Sequence, residues 1–210
     1  MELQFYGANC ISLAHKGTRI VIDDNLAELG ARGVVKAGDV ALFTGAHAAN
    51  AKNGARLTFD SPGEYEVADI SIIGIAARAH IDEDGQPPQA TMFKLVTGEL
   101  SILFTGHIYP ELSDAQLEAI GMVDLLVVPV GGNGYTVDPV GALKLIKDIE
   151  PKLVIPTHYA DKSLKYPVPQ QELSVALKEL AMEPKETVAK LKLKPAELSD
   201  LTQLVILEKS

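Results

Sequence analysis

The sequence predicts an α/β fold in which two β-rich layers are covered on the outside by helices. Three observations predict it. The N-terminal half is a run of short β-rich segments broken by turn residues, and the C-terminal half alternates apolar strands with amphipathic helical segments. The third is size: 210 residues, 47% apolar and 22% charged, suffice for one well-buried domain spanning 1–210.

Leu3 to Tyr6, Cys10 to His15 and Thr18 to Asp23 are rich in β-formers, and Lys16-Gly17 is a turn that pairs the second run with the third. A polar stretch from Asp24 to Gly38 precedes a buried strand at Val40 to Thr44. Arg56 to Phe59, Tyr65 to Val67, Ile70 to Ala77, Thr91 to Val96 and Ser101 to Thr105 continue the strand pattern. Ser61-Pro62-Gly63 and the segment from Asp82 to Pro88 break it. Ser113 caps a short helix through Ile120, Leu125 to Val130 is a buried strand, and Asp138-Pro139 is an N-cap followed by a first-turn proline. That helix runs to about Glu150, where Pro151 ends it before a strand at Leu153 to Ile155. Leu173, Val175, Ala176, Leu177 and Leu180 fall at helical spacing within Gln171 to Met182. Val188, Leu191 and Leu193 suggest one half-exposed strand, and Leu204 to Leu207 a buried one.

Composition removes several classes of function. The single Cys10 rules out an internal disulfide framework, and MELQFYG has neither a basic region nor an apolar core of a leader, so a cytoplasmic location is expected. The apolar segment Val123 to Val130 is interrupted by Asp124 and Pro129, far short of the roughly 20 residues of a membrane helix. With 28 acidic against 19 basic residues and no basic cluster, neither nucleic acid nor a membrane is an expected partner; a small molecule or a protein is. Gly131-Gly-Asn-Gly134 lacks the lysine and spacing of a phosphate loop, Asp82-Glu-Asp-Gly85 lacks the closing ligands of a calcium loop, and Cys10 has no basic neighbour to make it a thiolate. Glu64 and Glu66 alternate on one solvated strand face.

Several ordered motifs resemble the metallo-β-lactamase-fold superfamily, and within it the small branch that includes L-ascorbate-6-phosphate lactonase relatives and uncharacterised Zn-dependent hydrolases. They are Gln4-Phe-Tyr-Gly7, Ile20-Val-Ile-Asp23, Phe59-Asp-Ser-Pro-Gly-Glu-Tyr-Glu-Val67, Val128-Pro-Val-Gly-Gly132 and Val154-Ile-Pro-Thr-His-Tyr159. The resemblance covers nearly the whole chain and implies a four-layer αββα sandwich of the metallo-β-lactamase type. It also implies a metal loop after the strand ending at Thr44, with the family pattern H-x-H-x-D-H. Here those ligand positions read Gly45, His47, Ala49 and Asn50. Glycine and alanine offer no lone pair, and a neutral asparagine is a poor zinc ligand. His47, His80 and His158 match three family ligand positions, whereas His107 stands where the family carries the carboxylate that bridges two ions. Asp23 matches the acid that orients the metal loop, and Asn133, Tyr135 and Thr136 lie in a loop that lines the family's pocket mouth.

Two ions about 3.5–4 Å apart need anionic ligands between them, and Ala49, Asn50 and His107 remove these. A degenerate two-metal site and a non-hydrolytic binding or scaffold role, with no cofactor, are the expectation. The alternative is a single Zn, Ni, Fe or Mn ion held by His47, His80, His107 and His158, sufficient to hydrolyse a small ester, lactone or phosphoester. His15, beside the Lys16-Gly17 turn, is expected at the surface.

Overall fold

The computed structural model describes residues 1–45, 54–82, 87–98 and 100–210. His47, Ala49 and Asn50 fall outside the described residues. The chain opens as a meander, β1 (Glu2–Gly7), β2 (Cys10–His15) and β3 (Thr18–Ile22), with β4 (Val40–Leu42) and β5 (Leu57–Phe59) added in parallel. A second set follows: β6 (Gly63–Val67), β7 (Ile70–Ala77), β8 (Ala90–Thr97) and β9 (Leu100–Phe104), all antiparallel neighbours. Helix α1 (Asp114–Ile120) leads to β10 (Leu125–Pro129), α2 (Pro139–Ile149) to β11 (Leu153–Thr157), and α3 (Leu173–Leu180) to β12 (Pro184–Val188); β13 (Leu191–Lys192) and β14 (Gln203–Leu207) complete the order. The described strands make one sheet in the order β13-β1-β2-β3-β4-β5 and another in the order β12-β14-β11-β10-β9-β8-β7-β6.

The inner faces of the two sheets form the central core. Phe5, Ile11, Leu13, Ile20 and Leu42 of one meet Ile72, Phe93, Leu95, Ile102, Phe104 and Val127 of the other, all buried. At roughly 25 cal/mol per Å² of apolar surface removed from water, such a layer is the main favourable term in folding. On the far side of the larger sheet, Leu103, Leu126, Val128 and Val154 pack under Ile120, Leu145, Ile146, Ala176 and Leu180 of the three helices. The other outer face is covered mainly by irregular chain: Leu26, Leu29 and Leu164 lie buried over Cys10 and Val21, with Val34, Val35 and Tyr166 beside them. Asp24 clasps this covering segment by accepting from the backbone N–H groups of Val34 and Val35 at 2.6 and 2.7 Å.

The helix starts follow the capping chemistry. Ser113 and Gln116 form a reciprocal capping box on α1, and the Asp138 carboxylate accepts from Gly141 N at 2.7 Å ahead of Pro139. Ser113→Ala is therefore expected to lower the unfolding free energy by about 1 kcal/mol, measurable by urea denaturation. Helix α3 is shorter than the apolar spacing predicts, because Ala181 turns left-handed at φ +52°. The expected single strand around Val188–Leu193 is two: β12 pairs with β14 in the larger sheet, while β13 pairs with β1 in the smaller one. The three-residue step from Val188 to Leu191 breaks period 2, and the chain uses that break to change sheets. His15 is half-buried, its Nε2 lying 3.4 Å from Asp69, rather than free at the surface. None of the described helices is long and apolar enough to cross a membrane.

Candidate functional site

The strands β1, β3, β4, β7, β9, β10 and β11 all deliver their C-terminal ends to one edge of the sandwich, where parallel strands leave a crevice between diverging connections. Asn9 follows β1, Asp23 follows β3, Thr44 and Gly45 follow β4, His80 follows β7, His107 follows β9, Gly131 follows β10 and His158 follows β11. Three of these turns carry a non-glycine residue in the left-handed region: Ala8 at φ +48°, Asp23 at +50° and His158 at +55°. Such conformations cost of order 1–3 kcal/mol each and persist where surrounding contacts over-determine them.

Those contacts are specific. The buried Asp23 carboxylate accepts from Thr44 N at 2.7 Å, Thr44 Oγ1 at 2.6 Å and Asn9 Nδ2 at 2.6 Å. Asn9 Oδ1 in turn accepts from Thr157 Oγ1 at 2.6 Å. One buried chain of hydrogen bonds thus ties the ends of β1, β3, β4 and β11. Burial raises the Asp23 pKa, opposed by the Thr44 and Asn9 hydrogen bonds. The two sheets touch here: Gly106 sits at φ +63°, and a Cβ on it would lie 2.1 Å from Thr44 Oγ1, so only glycine fits.

A cavity of about 140 Å³ opens beside this network, lined by Asp23, Thr44, Gly45, His80, His107 and Tyr135 among others. Glu28 and Asp82 also contribute to its wall. His80 N donates to His107 O at 2.8 Å, which joins the loops after β7 and β9. Behind the wall, the His158 ring packs edge-on against His107, with centroids 4.5 Å apart and planes at 88°. It lies 5.9 Å from the Tyr135 ring and 5.1 Å from that of Tyr166. His158 Nδ1 lies 3.1 Å from Gln170 Oε1.

The electrostatics favour neutral imidazoles. Burial pushes His158 down to about 4, against the hydrogen bond to Gln170 Oε1 that acts the other way. Burial, and after it the neighbouring His158 and His80, push His107 well below the usual imidazole value. Burial also lowers His80. Burial thus favours the uncharged form of all three rings. Among the described residues, the buried Nδ1 atoms of His80 and His107 have no hydrogen-bond partner.

Of the residues singled out in the sequence, Asp23, Gly45, His80, His107 and Tyr135 are brought to the cavity wall and His158 directly behind it. Asn133 is exposed and turned away, its Nδ2 donating to Pro169 O. Thr136 is fully buried, its hydroxyl unpartnered, and does not line the cavity. Asp23, expected to orient the loop after Thr44, is buried and bonded to Thr44 N and Oγ1. Asn9, Thr44, Thr157 and Gln170 were not singled out by sequence; only the turn after β1 offered a signal, for Asn9.

The two ions implied by the fold family require donors, and the described residues do not supply them. Both Asp23 oxygens accept hydrogen bonds from Thr44 or Asn9, and among the described residues none of the three imidazoles is hydrogen-bonded to a carboxylate. Among the described residues no group of three or more His, Cys, Asp or Glu side chains is placed to hold a metal ion.

Two packed β-sheets with their strand ends gathered around a histidine-lined cavity define a metallo-β-lactamase-type α/β sandwich. A family model for the β-lactamase superfamily domain matches residues 2–158, and the chain belongs to that superfamily. Over 67 residues it is 39% identical to a UPF0173 metal-dependent hydrolase of Carboxydothermus hydrogenoformans, a match covering 32% of this chain and only 29% of that relative. A structure from Thermotoga maritima, assigned as a Zn-dependent hydrolase of the metallo-β-lactamase superfamily, superposes with a TM-score of 0.75 at 25% identity, covering 100% of this chain and 99% of the other. A metallo hydrolase from Ignicoccus hospitalis superposes with a TM-score of 0.61 at 18% identity, over 92% of this chain and 99% of its own, and shows the fold alone.

Proposed function

We propose that this member of the superfamily has lost its two-ion centre and uses the cavity to bind a small molecule or a protein segment without hydrolysing it. The observation that carries this reading is the residue chemistry at the family's ligand positions. Asp23, held by Thr44 and Asn9 through three hydrogen bonds, braces the strand ends, and a bridged pair of ions needs an anion between them. In this chain His107 stands at the bridging position, and Gly45, Ala49 and Asn50 replace ligands in the loop after Thr44. A cavity wall of imidazoles, carboxylates and Tyr135, with no lysine or arginine among its described residues, suits a ligand that donates hydrogen bonds.

The thermal midpoint of metal-stripped protein tests this. A ligand at a hundred times its Kd stabilises the native state by about 2.7 kcal/mol. Zinc or manganese added at micromolar levels is expected to leave the midpoint unchanged, and phosphodiester and lactone substrates are expected to show no turnover. A second reading, hydrolysis at a single ion held by His47, His80, His107 and His158, is favoured by the unpartnered Nδ1 atoms of His80 and His107. It requires a metal-dependent rise in the midpoint and turnover that His80→Ala abolishes.

A further inference from the structure

We infer that Gln170 is a positioning residue that sets the tautomer of His158, keeping the ring proton on Nδ1 and leaving Nε2 as the lone-pair nitrogen. The argument starts at the amide. Gln170 Nε2 donates to Val168 O at 2.8 Å, and a carbonyl oxygen can only accept, so the amide nitrogen must lie on that side. Oε1 is then the atom that faces His158 Nδ1 at 3.1 Å. Two acceptors cannot share a hydrogen bond, so Nδ1 carries the proton. His158 is 1% exposed, which favours the uncharged form, and a neutral imidazole has one N–H; Nε2 therefore has none.

The surroundings hold this pair together. Gly131 passes so close that a Cβ on it would lie 2.1 Å from Gln170 Oε1 and 2.0 Å from the His158 carbonyl oxygen. Gln171 N donates to Gly131 O at 2.9 Å and Ala160 N to Gln171 O at 2.8 Å, which anchors the main chain on either side of the contact. His158 N donates to Ala8 O at 2.7 Å, and its backbone is left-handed, so the ring's base is fixed as well. Free imidazole side chains favour the proton on Nε2; here a built contact reverses that choice.

The consequence concerns what His158 can do. Behind the cavity wall, where it packs edge-on against His107, its Nε2 is an acceptor and not a proton donor. This holds whether or not an ion binds, so it stands apart from the ion-free reading and is tested separately.

The test is heteronuclear NMR that resolves the two ring nitrogens of isotope-labelled histidine in the full chain at neutral pH, with His158 assigned by loss of its signals in His158→Gln. The native protein is expected to show the Nδ1–H tautomer. Gln170→Leu, which removes the acceptor, is expected to shift the population towards Nε2–H, and Gln170→Glu, which keeps an acceptor, to retain Nδ1–H. An Nε2–H tautomer in the native protein overturns the inference, as does an unchanged ring spectrum in Gln170→Leu. Should the leucine variant fail to fold, the native spectrum alone decides.

Discussion

Replacing Asp23 by alanine is expected to lower the unfolding free energy by about 3 kcal/mol or more, because it strands three buried hydrogen-bond donors. Three donors lose their acceptor together: Thr44 N, Thr44 Oγ1 and Asn9 Nδ2. Each buried donor left unmade costs about 1–3 kcal/mol. For a chain of this size the melting temperature should fall by roughly 10 °C or more. Asp23→Asn separates geometry from charge. Its amide can occupy the same space, and if the Asn9 amide turns over, Asn9 Oδ1 accepts from the new N–H₂ while Asn9 Nδ2 donates to Thr157 Oγ1. That variant is expected to stay within about 1–2 kcal/mol of the native protein. Denaturant titrations of the two variants at neutral pH make the comparison; an alanine variant as stable as native would mean that the strand ends are held by something other than this network.

Acid is expected to destabilise the fold well above the range where carboxylates titrate. His158 has a folded pKa of about 4 against 6.5 for the ordinary side chain. Between those values the unfolded chain binds a proton that the folded chain refuses, so stability rises with pH and falls as pH drops. The loss begins near pH 6.5 and levels off near pH 4, and from the His158 values it amounts to about 3 kcal/mol in total, with about 2 kcal/mol gone by pH 5. His107, held lower still by burial and by its imidazole neighbours, adds in the same direction, and half-buried His80 adds to it. Asp23 acts with the opposite sign: its raised pKa lets the folded state take up a proton before the unfolded state does, which offsets part of the loss at the acid end. Urea midpoints measured from about pH 8 to pH 4 should trace this curve, and His158→Asn should flatten it between pH 6.5 and 4. A native curve that is flat over that window would contradict the burial of neutral rings.

Much of the site's layout was legible because it is written in short-range pattern. The strand runs marked where each apolar segment ends, and the resemblance to the family singled out Asp23, His80, His107 and His158 just beyond those ends. Residues whose roles depend on long-range contact left no such trace. Gln170 reaches His158 across the turn of Tyr166 to Pro169, and Asn9 meets Thr157, 148 positions away; no local spacing encodes either meeting. The same limit explains Asn133 and Thr136. They sit in the loop after β10, where the hydrogen bond to Pro169 and the burial of Thr136 leave Tyr135 as the side chain that lines the cavity. In the fold, the two-sheet architecture followed from the alternation of apolar runs, whereas the change of sheet between β12 and β13 rested on a single broken step of the strand period.

The central claim is the absence of a working two-ion centre. Elemental analysis of the native protein, purified without chelators and without added metal, tests it most directly. The account predicts well under one equivalent of transition metal per chain; two equivalents that survive exhaustive dialysis would contradict it.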